Sequence, residues 1–228
     1  MKGLITSWLY CKKTYFIIDA AVFVLACAAI TVVVPLLNLE ENQYLQPVVS
    51  IGALLLGFSV MVICGESLDK DVEDMLKTGF ADYVLTGGIS RHSFVNVLLV
   101  RNLICCGLSL AEGAVILGLY LSFTKTQAAA EIWLIVPLLV LLIHSVDFMI
   151  TPLVIKFKNA EKAGFVLGLV FGMIIFVFMG SIEITDSETL ITMAVDPLTA
   201  AIIIAGLILL YIPAYFLTLN RIKRGDIC

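Results

Sequence analysis

Three residues have the chemistry to move a proton or hold a polar ligand inside an otherwise apolar chain: Glu112, His144 and Asp147. His144 and Asp147 are three apart, so on a helix they share one face. Each sits within a long apolar run, and a charge at a bilayer centre costs about 2.5–3.5 kcal/mol on insertion scales. Such groups must face protein or water. The runs holding Glu112 and His144 are consecutive and antiparallel, which lets the two side chains meet at mid-depth. Two readings are open: a proton relay or substrate contact, or polar glue in which a protonated carboxyl is hydrogen-bonded in place. Asp19, near one end of the first run, can answer Lys12 or Lys13. Other chemistries lack their residues. His92 and His144 are the only histidines and form no HExxH zinc motif. The pair Cys105–Cys106 has no second pair at metal-ligand spacing. Gly52 and Gly57 have the outer spacing of a phosphate-cradling loop, but Phe58 stands where its lysine belongs. With no nucleophile motif either, no catalytic residue, metal or cofactor is expected in this chain, and an intramembrane enzyme is the weakest of the function classes.

The elements that position these residues follow from composition. Of 228 residues 61% are apolar and 14% charged, with mean hydropathy +1.08, against about 45–50% and about 25% in a soluble domain. That excludes a soluble enzyme and a disordered chain, and the sequence pI of about 5.1 without a basic patch excludes a nucleic-acid partner. Six apolar stretches approach the roughly 20 residues that cross about 30 Å of hydrocarbon: Phe16–Leu37, Val48–Gly65, Leu103–Phe123, Ile132–Ile155, Ala163–Gly180 and Leu198–Leu219. A backbone in lipid must satisfy its hydrogen bonds within the segment, so these are helices and the fold is an all-α polytopic membrane protein. Pro137, Pro152 and Pro213 allow kinks within spans. Six spans put both ends of the chain on one side. Of the 14 Lys and Arg residues, all but Lys125 fall on that side, which makes it cytoplasmic. The outer loops are acidic, and solvation accounts for that. The six cysteines lie in apolar or cytoplasmic stretches, so no disulfide framework is expected. Val24–Cys27 loosely imitates a lipoprotein cleavage site, but the apolar run continues to Leu37, so the first span is retained.

Two segments outside the spans carry pattern. In Gly3–Tyr15, Leu4, Trp8 and Cys11 recur at helical spacing beside Lys12 and Lys13. This suits a helix lying in the inner interface, with its lysines on anionic membrane lipid; an ordinary basic flank of the first span is the alternative. The long inner segment Glu66–Asn102 begins strongly charged and continues Phe80-Ala-Asp-Tyr-Val-Leu-Thr-Gly-Gly-Ile-Ser-Arg-His. It reads as a helix pair suited to docking on a cytoplasmic protein, or as a solvated linker. In the fifth span, Gly164, Gly168 and Gly172 form a small-xxx-small stripe for close helix packing, within the subunit or between subunits.

The opening Met1-Lys2-Gly3-Leu4-Ile5 with Leu9-Tyr10 and Lys12-Lys13, the glutamate after the second span, and Tyr83-Val-Leu-Thr-Gly-Gly-Ile-Ser-Arg91 followed by Val95 resemble the type-2 permeases of ATP-binding-cassette exporters. The chain is most similar to small bacterial permeases related to the phenol-soluble-modulin peptide exporter. In that family the inner loop commonly ends in a leucine-rich turn, a proline-containing pair, a small apolar residue, Ser and Arg; here Gly87-Gly88 replaces the pair. The resemblance implies a single permease domain over residues 1–228, multi-pass in the bacterial cell membrane and paired as a homodimer or with a close paralogue. It implies two separate ATPase subunits per complex that bind ATP and Mg, and amphipathic peptides as cargo. It also implies an interfacial helix over residues 1–15, with Leu4, Trp8, Lys12 and Lys13. A coupling helix and its turn would lie within residues 66–102, with Phe80, Tyr83, Leu85, Ser90 and Arg91 at the ATPase. A short re-entrant helix would fall within residues 181–196 on the outer side. The expectation is thus a permease subunit without enzymatic activity of its own. The alternative is an ion- or proton-coupled secondary transporter using Glu112, His144 and Asp147. Internal repeats, common in such carriers, are not evident between the two three-span halves.

Overall fold

The computed structural model describes residues 13–36, 71–124, 133–168 and 197–224. The second apolar stretch, most of the fifth, the interfacial residues Leu4, Trp8 and Lys12, the re-entrant segment 181–196 and Gly172 lie outside the described residues. The described residues are helix and turn apart from short connectors at Ile89–Ser90 and Asn159, with no strand among them. The named helices are α1 (Lys13–Leu36), α2 (Phe80–Thr86), α3 (Arg91–Thr124), α4 (Ile135–Phe157), α5 (Pro197–Leu209) and α6 (Tyr211–Lys223). Residues 71–77 and 160–168 are also helical.

Three stretches are long and apolar enough to cross a membrane: Arg91–Ser122, Val136–Phe157 and Ala200–Lys223. The last joins α5 to α6 across Leu210, where the regular ladder is interrupted. Pro213 explains the break, because it offers no N–H to the Leu209 carbonyl four residues back and its ring crowds that carbonyl. Flanking bonds survive, from Leu210 N–H to Gly206 (3.1 Å) and from Ala214 N–H to Leu210 (3.3 Å). The span bends rather than ends. α1 is apolar over the shorter stretch Phe16–Val32.

α3 has 34 residues, about 51 Å of rod at about 1.5 Å per residue, against about 30 Å of hydrocarbon. The helix therefore starts well before the expected span at Leu103 and is longer than the apolar layer is thick. α3 is central. It packs against α1, α4 and α6, and α5 and α6 lie against α4.

The largest buried cluster sits at one end of this bundle. It joins Val72 and α2's Ala81 and Val84 to Phe94, Val95 and Leu98 of α3, to Phe148, Val154 and Ile155 of α4, to Ala163, and to Ala214, Leu219 and Ile222 of α6. Burying a Val-, Leu- or Phe-sized side chain contributes about 1.5–3 kcal/mol, so the inner segment is part of the folded body. Lys156, Lys158, Lys162, Arg221, Lys223, Arg224 and Arg91 decorate the same end. Between α1 and α3 lies a separate, smaller cluster of Ala26, Ile30 and Ile116.

Candidate functional site

The inner segment is built by two helix stops and one start. Helix 71–77 closes through Thr78 N–H to Asp74 (2.9 Å) and Gly79 N–H to Leu76 (3.3 Å). Gly79 then turns the chain with φ 67°, a left-handed conformation that glycine enters without steric cost. At the far end of α2, Gly88 has φ 90° and the Ile89 N–H closes onto the Val84 carbonyl at 3.4 Å. This is the Schellman wrap, with glycine at its left-handed position and an apolar contact between Ile89 and Val84. Gly87 is tight as well, since a Cβ there would meet the Tyr83 carbonyl oxygen at 3.0 Å. Ser90 immediately caps α3, its Oγ accepting from Ser93 N–H at 3.1 Å. Ile89 before the cap and Phe94 after it join one cluster, as a hydrophobic staple does. The stretch Gly-Gly-Ile-Ser-Arg is thus a rigid connector with no loose residue between α2 and α3.

α2 presents two faces. Ala81 and Val84 are buried, and Leu85 is half-buried against the same cluster. Tyr83 is 75% exposed and Phe80 40%. Of the five residues expected at a partner, Phe80, Tyr83, Ser90 and Arg91 are exposed, Ser90 with its hydroxyl engaged in the α3 cap, whereas Leu85 holds the helix down.

The charges of the inner segment are not simply solvated. Asp71 is 5% exposed and pairs with the Arg101 guanidinium, itself 2% exposed and about 15 Å along α3. Glu73 accepts the Ala160 N–H at 3.0 Å, at the start of helix 160–168. Asn159 caps the same helix through Lys162 N–H (2.7 Å), so two of its orphan N–H donors are satisfied. Glu73 also pairs with Lys77, and that hydrogen bond raises the Lys77 pKa above its ordinary value. The Lys158 turn between α4 and helix 160–168 has φ 51° and closes onto Val154 (2.7 Å). Residues 71–77 are therefore tied to α3 through one carboxylate and to this turn through another.

Deeper in the bundle, Asn102 joins three helices. Its Nδ2 donates to the His144 carbonyl (3.2 Å) and to Asp147 (3.1 Å), and its Oδ1 accepts from the Tyr211 hydroxyl (2.8 Å). Tyr211 also stacks on Phe148, with ring centroids 5.4 Å apart. Nearly two turns toward the start of α3, Tyr215 donates to Asn96 (2.9 Å); about two turns the other way, the His144 Nε2 meets Ser109 Oγ at 3.1 Å. His144 and Asp147 do share a buried face of α4, but Glu112 is not among their hydrogen-bond partners. It lies beside Asp19 of α1 instead. The reason is rotational: on α3, Ser109 and Asn102 point at α4, and Glu112 lies on the flank that α1 covers.

Gly164 and Gly168 have no atom within 4 Å of where a Cβ would stand, so among the described residues that part of the stripe is open rather than packed. Among the described residues, no three metal-ligating side chains come together. Asp71, Glu73, Arg101 and Asn102 are the site residues that the sequence reading missed. The signal for Arg101 was its register: Phe94, Leu98, Arg101 and Cys105 form one helical stripe, and all are buried. Comparison with family models, with curated proteins and with solved structures returns no match to this chain.

Proposed function

We propose that this chain is the membrane permease subunit of an ATP-driven ABC exporter in a bacterial cell membrane, working as a homodimer or with a close paralogue. Two partner ATPase subunits would bind ATP and Mg, and the cargo class suggested by the resemblance is amphipathic peptide. The observation that carries the reading is α2. A short helix is held against the bundle by Ala81, Val84 and Leu85 and offers Phe80 and Tyr83 outward at the basic end. Aromatic side chains of this kind are common anchors of protein interfaces. Mechanically, a push on α2 passes through the Gly88–Ser90 connector into α3, a rod of about 51 Å. The Asp71–Arg101 and Glu73–Ala160 ties pass the same displacement to the ends of α3 and α4.

One observation favours a second reading, an ion- or proton-coupled secondary transporter. Two carboxyl residues, Asp19 of α1 and Glu112 of α3, lie beside each other between apolar helices, although His144 and Asp147 stand apart from them. Co-expression with the ATPase of the same gene neighbourhood distinguishes the two. The exporter reading requires co-purification and ATP hydrolysis that depends on both chains. Uptake or efflux driven by a pH gradient without any ATPase supports the carrier.

A further inference from the structure

Where α4 ends and helix 160–168 turns back, Phe157, Glu161, Lys162, Phe165 and Val166 line a surface cleft of about 460 Å³. Its floor is apolar, and Phe165 is 68% exposed with no described residue over it. The rim is basic. Lys156, Lys158 and Lys162 are all exposed, and Lys156 Nζ lies 5.2 Å from the centre of the Phe157 ring. Glu161 is the one acid here, so residues 156–162 carry three lysines to one carboxylate. Depth matters as much as charge. α4 is apolar up to Ile155 and polar from Lys156, and the chain becomes apolar again from Ala163. The cleft therefore lies where acyl chains give way to headgroups, with its aromatic floor on the apolar side and its lysines on the wet side.

We propose that this cleft is a binding site for one anionic phospholipid, its phosphate held by Lys156, Lys158 and Lys162 and an acyl chain laid on Phe157, Phe165 and Val166. Charge complementarity selects the occupant: juxtamembrane lysines attract anionic lipid near the surface. A zwitterionic lipid offers the same chain without the net charge. A purely apolar partner would leave three lysines to be desolvated.

The test uses the full chain, extracted from membranes containing phosphatidylglycerol and phosphatidylethanolamine, with retained lipid quantified by mass spectrometry. The wild type should be enriched in phosphatidylglycerol over the surrounding membrane. The variant K156Q/K158Q/K162Q should lose that enrichment by roughly tenfold or more. K223Q/R224Q removes exposed charge from the same end outside the cleft and should retain it. Equal enrichment in the triple variant, or wild-type lipid in bulk proportion, overturns the site. Should the triple variant fail to fold, photo-crosslinking of the wild type with a diazirine phosphatidylglycerol decides: labelling should centre on residues 157–166, and labelling elsewhere refutes the site. A disulfide between two Phe165→Cys chains in membranes would put a second copy over the cleft and equally overturn it.

Discussion

Replacing Asp71 by Asn should release the inner segment from the bundle. Asp71 and Arg101 are 5% and 2% exposed, so the guanidinium has little water to fall back on when its carboxylate becomes an amide. A charge-assisted hydrogen bond contributes about 1.5–3 kcal/mol, and breaking a buried pair by removing one partner costs about 3–5 kcal/mol because the other charge stays buried. The bundle can avoid that cost by letting residues 71–77 swing out and water reach Arg101. The predicted loss is therefore local. Amides of residues 74–79 should exchange at least about hundredfold faster, as about 3 kcal/mol implies, while amides of α4 around Val140 keep their protection. Arg101→Met with Asp71→Leu removes both charges and supplies apolar volume, and should restore most of the protection, since apolar replacement of a buried pair is often neutral or better. Hydrogen exchange by mass spectrometry on the purified chain reads all three. Wild-type protection over residues 74–79 in Asp71→Asn would refute the claim that this pair anchors the segment.

Glu73→Ala removes the acceptor for Ala160 N–H and the Lys77 pair, so faster exchange at residues 160–163 is expected, by the 0.5–2 kcal/mol typical of a lost helix cap. The Lys77–Glu73 pair should respond to pH in one direction only. The folded pKa of Lys77 is raised, so its contribution is complete below the ordinary value of 10.5 and is lost as pH rises through the folded value; salt-sensitive helicity that changes near neutral pH would contradict this. Asn102→Leu leaves Asp147, the His144 carbonyl and the Tyr211 hydroxyl without their shared partner, and a fall in thermal stability of roughly 1–3 kcal/mol is expected from scanning calorimetry in detergent. Glu112→Gln keeps the size and a hydrogen-bonding group beside Asp19 but carries no titratable proton; under the exporter reading transport persists, and abolished transport by a folded protein would favour the carrier.

The helices were legible because a long apolar run in a chain this hydrophobic has one way to satisfy its backbone. The third, fourth and sixth runs coincide with α3, α4 and the bent α5–α6 span. The exposed faces of Phe80 and Tyr83 were also readable, as aromatic residues in a charged segment. What escaped was partnership. Charges in a run such as Asp71–Lys77 are usually solvated, and nothing local to Asp71 or Glu73 says that Arg101 or the Ala160 N–H waits across the bundle. Glu112 was assigned by sequence adjacency to its hairpin neighbour His144. Its partner is set instead by rotation of α3, and so by the packing of α1. The Gly87–Gly88 pair was recognised as a departure from a proline-containing turn. Its physical content, a left-handed stop directly followed by a serine-capped start, emerges only from the backbone angles.

The central claim is that α2 couples an ATPase to the spans, and the double variant Phe80→Ala/Tyr83→Ala tests it most directly. Anchors of this size typically cost on the order of 2 kcal/mol each when truncated, and neither side chain belongs to the buried cluster. The measurement is co-purification of the ATPase together with cargo-dependent ATP hydrolysis in proteoliposomes. The account predicts weakened association and hydrolysis uncoupled from export, with normal membrane insertion and an unchanged unfolding midpoint. Wild-type association and export from the double variant would contradict it.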